Sequence, residues 1–412
     1  MVFALASIPT VYLVGAGVDY GMAVDHKTQL DAYADAAALA AVTPAMMIQT
    51  TSAATTVAQN TFNAQAQTLS NISYSPQSDL TVTVSSSGQV RTVTVTYHAR
   101  SHNFFPNVLG QTDISLTGTA TAKAGQAPNI DFYLMLDSSP SMAIAATQAD
   151  INKMVANTGN QGGCAFGCHE SHPSSDNLGN PGGVDNYQLA RNLGVTLRID
   201  MLRQAVQDLV GTAQTTASTY NAAYRMAMYS FDANFNSLGA LTASYPTMTA
   251  NAANLSLLTV YKNNWLTSSN NNSDTDTNYD GAMTGVNQAM PNPGSGTTVA
   301  GDKPQEVLFF VTDGVEDERT GGNRQQSVMD PAWCTTIKNR GIRIAVLYTE
   351  YLPLPTNAWY NTYISPFQSS IGPTLKSCAS PGLYFMVQTG GDISSAMATL
   401  FQEAVQTAYL AQ

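Results

Sequence analysis

Basic residues are scarce in this chain of 412 residues, which has 17 Lys and Arg against 28 Asp and Glu. The net charge of −11 argues against a nucleic-acid partner, because such a partner requires a surface that neutralises a row of phosphates. Charged residues of both signs make up only 11% of the chain, so uncharged polar residues supply most of its polarity. Surfaces of this kind are common in proteins that work outside the cytoplasm, and the acidic balance is compatible with cation binding.

The motifs of several enzyme classes are also missing. The chain has no Gly-x-Ser-x-Gly nucleophile turn, no His-Glu-x-x-His zinc motif and no phosphate-binding loop. We therefore predict that the protein is not an enzyme. A length of 412 residues, of which 44% are hydrophobic, indicates two or three domains with cores of their own.

Cysteine occurs only four times, at Cys164, Cys168, Cys334 and Cys378. An even number in a chain that works outside the cytoplasm favours two disulfides. We predict a small loop closed by Cys164 and Cys168, and a second bond between Cys334 and Cys378, which flank neighbouring strands. The first pair lies in a Gly-, Asn- and Ser-rich insertion at about 143–189, within the stretch CAFGCH.

The CAFGCH stretch leaves two alternatives to a disulfide. Its C-x3-C-H spacing is one residue longer than the C-x2-C-H pattern that attaches haem. Together with His169 and His172, Cys164 and Cys168 could instead bind zinc. Haem or zinc at this position would indicate a redox protein.

Charged side chains are absent from residues 1–18, which are just long enough to cross a bilayer as a helix. A cleaved signal peptide is the alternative, although no Lys or Arg precedes the apolar run. The helical pattern continues through the Ala- and Leu-rich LDAYADAAALAAV, so we predict one helix from about residue 2 to residue 42. Thr43-Pro44 ends this first segment, 1–44.

Asp19 is the first charged residue of the predicted helix. One interpretation is that its carboxylate pairs with the N-terminal amine of a neighbouring subunit in an assembly. The other is that Asp19 lies at the level of the lipid headgroups and is simply solvated.

Residues 45–126 have the pattern of a small β-rich module. A helix is predicted over 52–69, and apolar and polar residues then alternate over 80–87, 90–99 and 113–124, as in strands with one buried face. One helix on a three-stranded antiparallel sheet is an α+β arrangement like that of pilins.

From residue 129 onward, short continuous apolar runs alternate with helical patterns. The predicted strands are 129–137, 223–231, 306–314 and 342–349, and the predicted helices are 196–210, 279–290 and 392–410. Continuous apolar runs are typical of strands buried on both faces. The predicted fold class is therefore α/β, a doubly wound domain over 129–412 with a mainly parallel sheet.

Oxygen-bearing side chains follow two of these strands. Asp137, Ser139 and Ser141 form an Asp-x-Ser-x-Ser pattern after the first strand, and Asp313 follows the strand that ends in VTDG. Ligands in such folds bind beyond the carboxyl ends of the strands, and this donor set suits Mg²⁺, Mn²⁺ or Ca²⁺. A threonine from a third loop would complete the set. Thr277 is the first choice.

Thr275 is the second choice for the threonine ligand. The alternative to a metal site is that Ser139 and Ser141 cap one helix and that Asp313 caps another. A partner could bind to the metal, since two carboxylates and three hydroxyls leave the ion with residual positive charge. An acidic side chain of a protein partner would suit that position.

Two resemblances sharpen these expectations. Residues 3–41 resemble the N-terminal segment of TadG-like proteins of the tight-adherence (Tad, or Flp) pilus assembly system, with VDYG and ADAAALAA carrying the match. Asp-x-Ser-x-Ser, followed by a threonine and by the aspartate of VTDG, resembles the metal-ion-dependent adhesion site of von Willebrand factor type A (VWA) domains.

The resemblances imply a membrane-anchored, exported component of Tad pilus biogenesis, either an assembly factor or a minor pilin-like subunit. The N-terminal helix would lie in the inner membrane, with the bulk of the chain in the periplasm or associated with the pilus. Other Tad components would be partners, and a VWA-like domain would bind one of them through its cation. The alternative is a surface or pilus-tip adhesin without an assembly role.

Overall fold

The computed structural model describes residues 2–87, 90–105, 111–125, 127–175, 178–261, 276–297, 301–320, 323–355 and 358–410. The chain divides into two compact units. The first holds residues 1–127 and 219–221, and the second holds residues 128–218 and 222–412.

The first unit consists of helices and one antiparallel sheet. Its elements are α1 (Val2–Ala40), α2 (Pro44–Met47), α3 (Thr51–Ala66), β1 (Ile72–Ser73), β2 (Leu80–Ser87), β3 (Val90–His102) and β4 (Asp113–Gly125). Strand β3 is central, because β1, β2 and β4 all pair with it. Alternate residues of the strands face the helices, where Leu30, Phe62 and Tyr97 are fully buried.

The helix predicted from residue 2 to residue 42 is present and ends at Ala40. The three strands predicted in the following module are also present, within a few residues of the expected bounds. Within the part of the chain that the structure describes, no helix combines the length and apolar character needed to cross a bilayer. The prediction of a membrane span is therefore not supported.

The second unit is an α/β fold. Its strands are β5 (Ile130–Asp137), β6 (His169–Glu170), β7 (Tyr224–Phe231), β8 (Phe235–Thr242), β9 (Thr259–Val260), β10 (Gln305–Thr312), β11 (Val315–Thr320), β12 (Asn323–Val328), β13 (Arg343–Thr349) and β14 (Tyr384–Val387). Its helices are α4 (Gln148–Asn157), α5 (Asn186–Leu193), α6 (Arg198–Tyr220), α7 (Tyr245–Ala253), α8 (Tyr279–Ala289), α9 (Ala332–Asn339), α10 (Ala358–Tyr363), α11 (Gln368–Cys378) and α12 (Ile393–Leu410).

The main sheet has the strand order β14-β13-β10-β5-β7-β8. All neighbouring strands are parallel except β8, which pairs with β7 in the antiparallel sense. Every residue of β5 is buried, and alternate residues enter different cores. Phe132 lies in the core shared with α6 and α12, whereas Tyr133 lies in the core shared with α8, α9 and α11. Helices thus cover both faces of the sheet, as the sequence pattern predicted.

The predicted bond between Cys334 and Cys378 is present, with 5.1 Å between the Cα atoms. It joins the helix before β13 to the helix before β14, and both sulfurs lie in the buried core. The bond therefore ties together two helices on the same face of the main sheet.

Candidate functional site

Asp137 is the last residue of β5, and its carboxylate is fully buried. The chain turns after it into a short 3₁₀ segment, which directs two serine hydroxyls back toward the strand end. The backbone N–H and the hydroxyl of Ser139 donate to Asp137 Oδ1 at 2.9 and 2.5 Å. The hydroxyl of Ser141 lies 2.9 Å from that of Ser139. The structure therefore brings all three residues of the Asp-x-Ser-x-Ser pattern together.

Asp313 follows β10, the strand beside β5 in the sheet, and is also fully buried. Its Oδ1 accepts a hydrogen bond from the backbone of Val315 at 3.3 Å. Its Oδ2 has no hydrogen-bond partner among the described residues. A buried carboxylate oxygen without a partner is costly, so this atom is a candidate for binding a cation.

Thr312 is a site residue that sequence reasoning missed. Its hydroxyl donates to Asp137 Oδ2 at 2.6 Å and accepts hydrogen bonds from Tyr279 Oη and the backbone of Gly314. Because Val311 is aligned with Leu136 in the parallel pair of β10 and β5, Thr312 comes next to Asp137. Thr312 therefore holds Asp137 from the neighbouring strand.

Two buried carboxylates at one sheet edge repel each other. Burial raises the pKa of Asp137, and the nearby Asp313 carboxylate raises it further. Burial also raises the pKa of Asp313, while Ser141 and the buried guanidinium of Arg198 act in the opposite direction. A positive ion between the carboxylates would relieve this repulsion.

Thr277 lies in the loop before α8 and is buried. Its backbone exchanges two hydrogen bonds with the backbone of Asp317, at 2.9 and 3.0 Å. Two residues later, the hydroxyl of Tyr279 lies 2.5 Å from that of Thr312. The loop of Thr277 is thus connected to the strand ends, although the threonine bonded to Asp137 is Thr312. Thr275, the second choice, lies outside the described residues.

The predicted bond between Cys164 and Cys168 is wrong in this structure, since both thiols are free. The sulfur of Cys164 accepts a hydrogen bond from the backbone N–H of Phe166 at 3.4 Å. Burial raises the pKa of Cys168 well above the usual thiol value.

The reason for the free thiols is the path of the chain between them. Residues 143–145 pair with residues 165–167 through backbone hydrogen bonds of 2.8 and 3.0 Å and an antiparallel bridge. This pairing keeps the chain extended, whereas a disulfide requires Cα atoms within about 7 Å. It also connects the insertion directly to the segment that follows Ser141.

The zinc alternative for this insertion is not supported. His169 Nδ1 lies 2.7 Å from the carboxylate of Asp185, and its ring packs on that of Tyr187. Among the residues that the structure describes, no group of three or more His, Cys, Asp or Glu side chains could hold a metal ion.

The interpretation of Asp19 as a simply solvated residue is wrong. Its carboxylate is buried and accepts hydrogen bonds from the backbone N–H groups of Phe104 and Phe105 at 2.7 and 3.2 Å. It is therefore not simply solvated, and within this chain its partners are backbone amides.

Comparison with known proteins confirms the N-terminal resemblance. Residues 1–59 match the family of TadE/G-like Flp pilus-assembly proteins. No curated protein sequence matches the chain.

Several solved structures are similar to this chain over about two thirds of its length or more. The vWF domain of the type V pilus tip protein Mfa5 from Porphyromonas gingivalis is 10% identical, with 70% of this chain and 97% of that one covered and a TM-score of 0.37. The PilB minor pilin from Streptococcus sanguinis is 12% identical, with 81% of this chain and 79% of that one covered and a TM-score of 0.37. Mussel byssus proximal thread matrix protein 1 is similar in a form whose metal-ion-dependent adhesion site (MIDAS) motif is occupied by zinc. It is 12% identical, with 69% of this chain and 46% of that one covered and a TM-score of 0.32. With TM-scores below 0.5, these similarities carry no functional argument.

Proposed function

We propose that the second unit is a VWA-type binding domain that holds a divalent cation at the carboxyl ends of β5 and β10. The observation that carries the proposal is the buried, unpartnered Oδ2 of Asp313, which lies at the same sheet edge as the buried carboxylate of Asp137. Oxygen donors of this type suit Mg²⁺, Mn²⁺ or Ca²⁺. A bound cation would satisfy the Asp313 oxygen and offset the repulsion between the two carboxylates.

The ligands in this proposal are Asp137, Ser139, Ser141, Thr277 and Asp313. These five ligands leave one position of a six-coordinate ion open, so a bound cation could take one more oxygen ligand. We infer that this ligand is an acidic side chain of a protein partner. The proposed role is binding, without a chemical reaction.

The family match of residues 1–59 supports a place in the Tad/Flp pilus system, and with it an envelope or pilus-associated location. Within that system we propose an assembly factor or a minor pilin-like subunit that is anchored in the inner membrane by α1. The second candidate is an adhesin on the cell surface or pilus tip. The exposed apolar side chains of α1, such as Leu13 and Val14, support an anchored or packed N-terminal helix.

The cation site is tested by titrating Mg²⁺, Mn²⁺ and Ca²⁺ into the wild-type chain and Asp137→Ala in a calorimeter. We expect saturable binding of at least one ion to the wild type and loss of that binding in the variant. Glu403→Ala, on the exposed face of α12, removes the same charge and should bind as the wild type does. Equal binding by Asp137→Ala, or no binding by the wild type, would refute the site.

The cellular role is tested by counting pili on cells that carry only Asp137→Ala or only the wild-type chain. Fewer pili with Asp137→Ala indicate an assembly role that depends on the cation. Normal pili, combined with labelling of the chain on intact cells and loss of surface attachment, favour the adhesin.

A further inference from the structure

Strand β4 forms one edge of the sheet in the first unit. It has 13 residues and pairs with β3 in a continuous antiparallel register, without a bulge. In the described part of the chain, β3 is the only strand that pairs with β4. Proteins usually protect long edges with proline, bulges or several charges, and β4 has no proline and only two charged residues.

The outward backbone groups of β4 belong to its odd-numbered residues. The N–H of Asn103 donates to the carbonyl of Thr112 at 3.0 Å, so even-numbered residues of the β4 segment bond toward β3. The N–H groups of His98 and His102 point the other way, to Asp79 and Asn71 at 2.8 and 2.9 Å, which agrees with this alternation. The N–H and C=O groups of residues 113, 115, 117, 119, 121 and 123 therefore face away from β3.

The sequence of this edge is complementary to itself. Asp113 and Lys123 each lie five residues from Gly118, on opposite sides of it. In an antiparallel pair of two β4 strands centred on Gly118, Asp113 of one copy lies opposite Lys123 of the other at both ends. Among the described residues, neither of these two side chains forms an ion pair within the chain.

The odd-numbered residues between the two charged pairs, which would face each other across the two β4 strands, are also compatible, since they are serines and threonines. The solvent-exposed face of the pair would place Thr117 opposite Thr119 and Ser115 opposite Thr121, which extends an existing row of threonines. Within one chain, the hydroxyls of Thr94 and Thr121 already lie 3.2 Å apart, as do those of Thr96 and Thr119 at 3.1 Å. Cross-strand threonine and opposite-charge pairs both stabilise antiparallel sheets.

We propose that two copies of this chain associate through antiparallel pairing of their β4 edges, centred on Gly118. The odd-numbered residues supply the backbone hydrogen bonds, and Asp113 and Lys123 set the register. The two sheets then form one continuous sheet with no exposed β4 edge. This association is independent of the proposed cation site.

The test is sedimentation of the full chain over a range of concentrations, in the presence of a chelator. We expect the wild type to reach twice the 43.6 kDa of one chain. Asp113→Lys and Lys123→Asp each place like charges opposite each other at both ends of the paired β4 strands. Each substitution should therefore weaken association about 10- to 100-fold. The double variant D113K/K123D restores both pairs and should associate as the wild type does. An equimolar mixture of the two single variants should form mixed dimers.

Thr119→Pro tests the backbone bonds directly. Proline removes the N–H of residue 119, which faces away from β3, so the bonds between β3 and β4 remain and the fold should be kept. We expect this variant to lose association, while the matched Thr119→Ala keeps it. A wild type that stays monomeric at hundreds of micromolar, single charge variants that associate normally, or a double variant that fails to recover would each overturn the proposal.

Discussion

Glu306, near the start of β10, is a buried carboxylate outside the proposed cation site. It is 1% exposed, and neither carboxylate oxygen has a hydrogen-bond partner among the described residues. In the sheet it is aligned with Asp131 of β5, whose carboxylate already accepts a hydrogen bond from Arg225 Nε at 2.7 Å. Burial raises the pKa of Glu306 to about 8, and the charge of Asp131 contributes to this shift.

Glu306 therefore makes the stability of the second unit dependent on pH. The folded chain holds the Glu306 proton more tightly than the unfolded chain, whose carboxyl has the ordinary pKa of 4.5, so stability falls as pH rises from about 4.5 to about 8. Glu306→Gln removes this ionisation. We expect the variant to match the wild type at pH 5 and to exceed it by about 2 kcal/mol at pH 9, after relaxation around the ionised group.

Urea unfolding at both pH values measures the difference in the unfolding free energy of the second unit between Glu306→Gln and the wild type. Glu403→Gln is the control, since it removes one carboxylate from an exposed position. An equal effect of the two substitutions at pH 9 would show that Glu306 is not ionised at a cost in the folded state.

Single residues of the candidate site differ in how well the sequence predicts them. Asp137, Ser139 and Asp313 could be predicted, because hydrophilic groups directly after buried strands must meet at the carboxyl edge of a parallel sheet. Thr312 could not be assigned, because its contact with Asp137 depends on the register of two strands. The free state of Cys164 depends on a pairing with residues 143–145 that has no local sequence signal.

At the scale of elements, two residues one helical turn apart connect α1 to the short segment that follows β3. Gly15 allows the ring of Phe105 to approach, because a Cβ at residue 15 would lie 3.1 Å from that ring. Asp19 accepts hydrogen bonds from the amides of Phe104 and Phe105. The carboxylate thus holds Phe104 and Phe105 on the helix by bonds to their backbone.

Asp19→Ala leaves these two amides without their acceptor. We expect their hydrogen exchange to accelerate about 10- to 100-fold, since a hydrogen bond to a charged group contributes about 1.5–3 kcal/mol. Mass spectrometry of a peptide that covers residues 101–105 measures the rate. Asp19→Asn keeps one acceptor oxygen and should show a smaller change, and β2 should exchange as in the wild type. Unchanged exchange in Asp19→Ala would contradict the proposed connection.

Regular elements with strong patterns could be predicted, and weakly patterned ones could not. The alternation in β2 and the continuous apolar run of β5 each reflect which faces are buried. Strand β8 was not predicted, because none of its residues is buried and its sequence shows neither pattern. Its position depends on pairing with β7, which is a tertiary contact.

At the scale of the whole molecule, the two units have separate hydrophobic cores. Phe62 is fully buried in the core of the first unit, and Phe132 is fully buried in that of the second. A chain with separate cores can unfold in more than one step, so a single unfolding free energy does not describe it. A ligand that binds one unit should then stabilise that unit alone.

This independence leads to a prediction for heating with and without a cation. A cation at one hundred times its dissociation constant stabilises the unit that binds it by about 2.7 kcal/mol, which for a unit of this size raises its melting temperature by about 5 °C. We expect calorimetry of the full chain to show two transitions, of which Mg²⁺ raises one. Phe62→Ala should lower the other transition, and Asp137→Ala should abolish the rise. A ligand confined to one of two independent cores cannot stabilise the other. An equal rise of both transitions with Mg²⁺, or a single transition of the wild type that moves as a whole, would therefore show that the cation acts on more than the second unit.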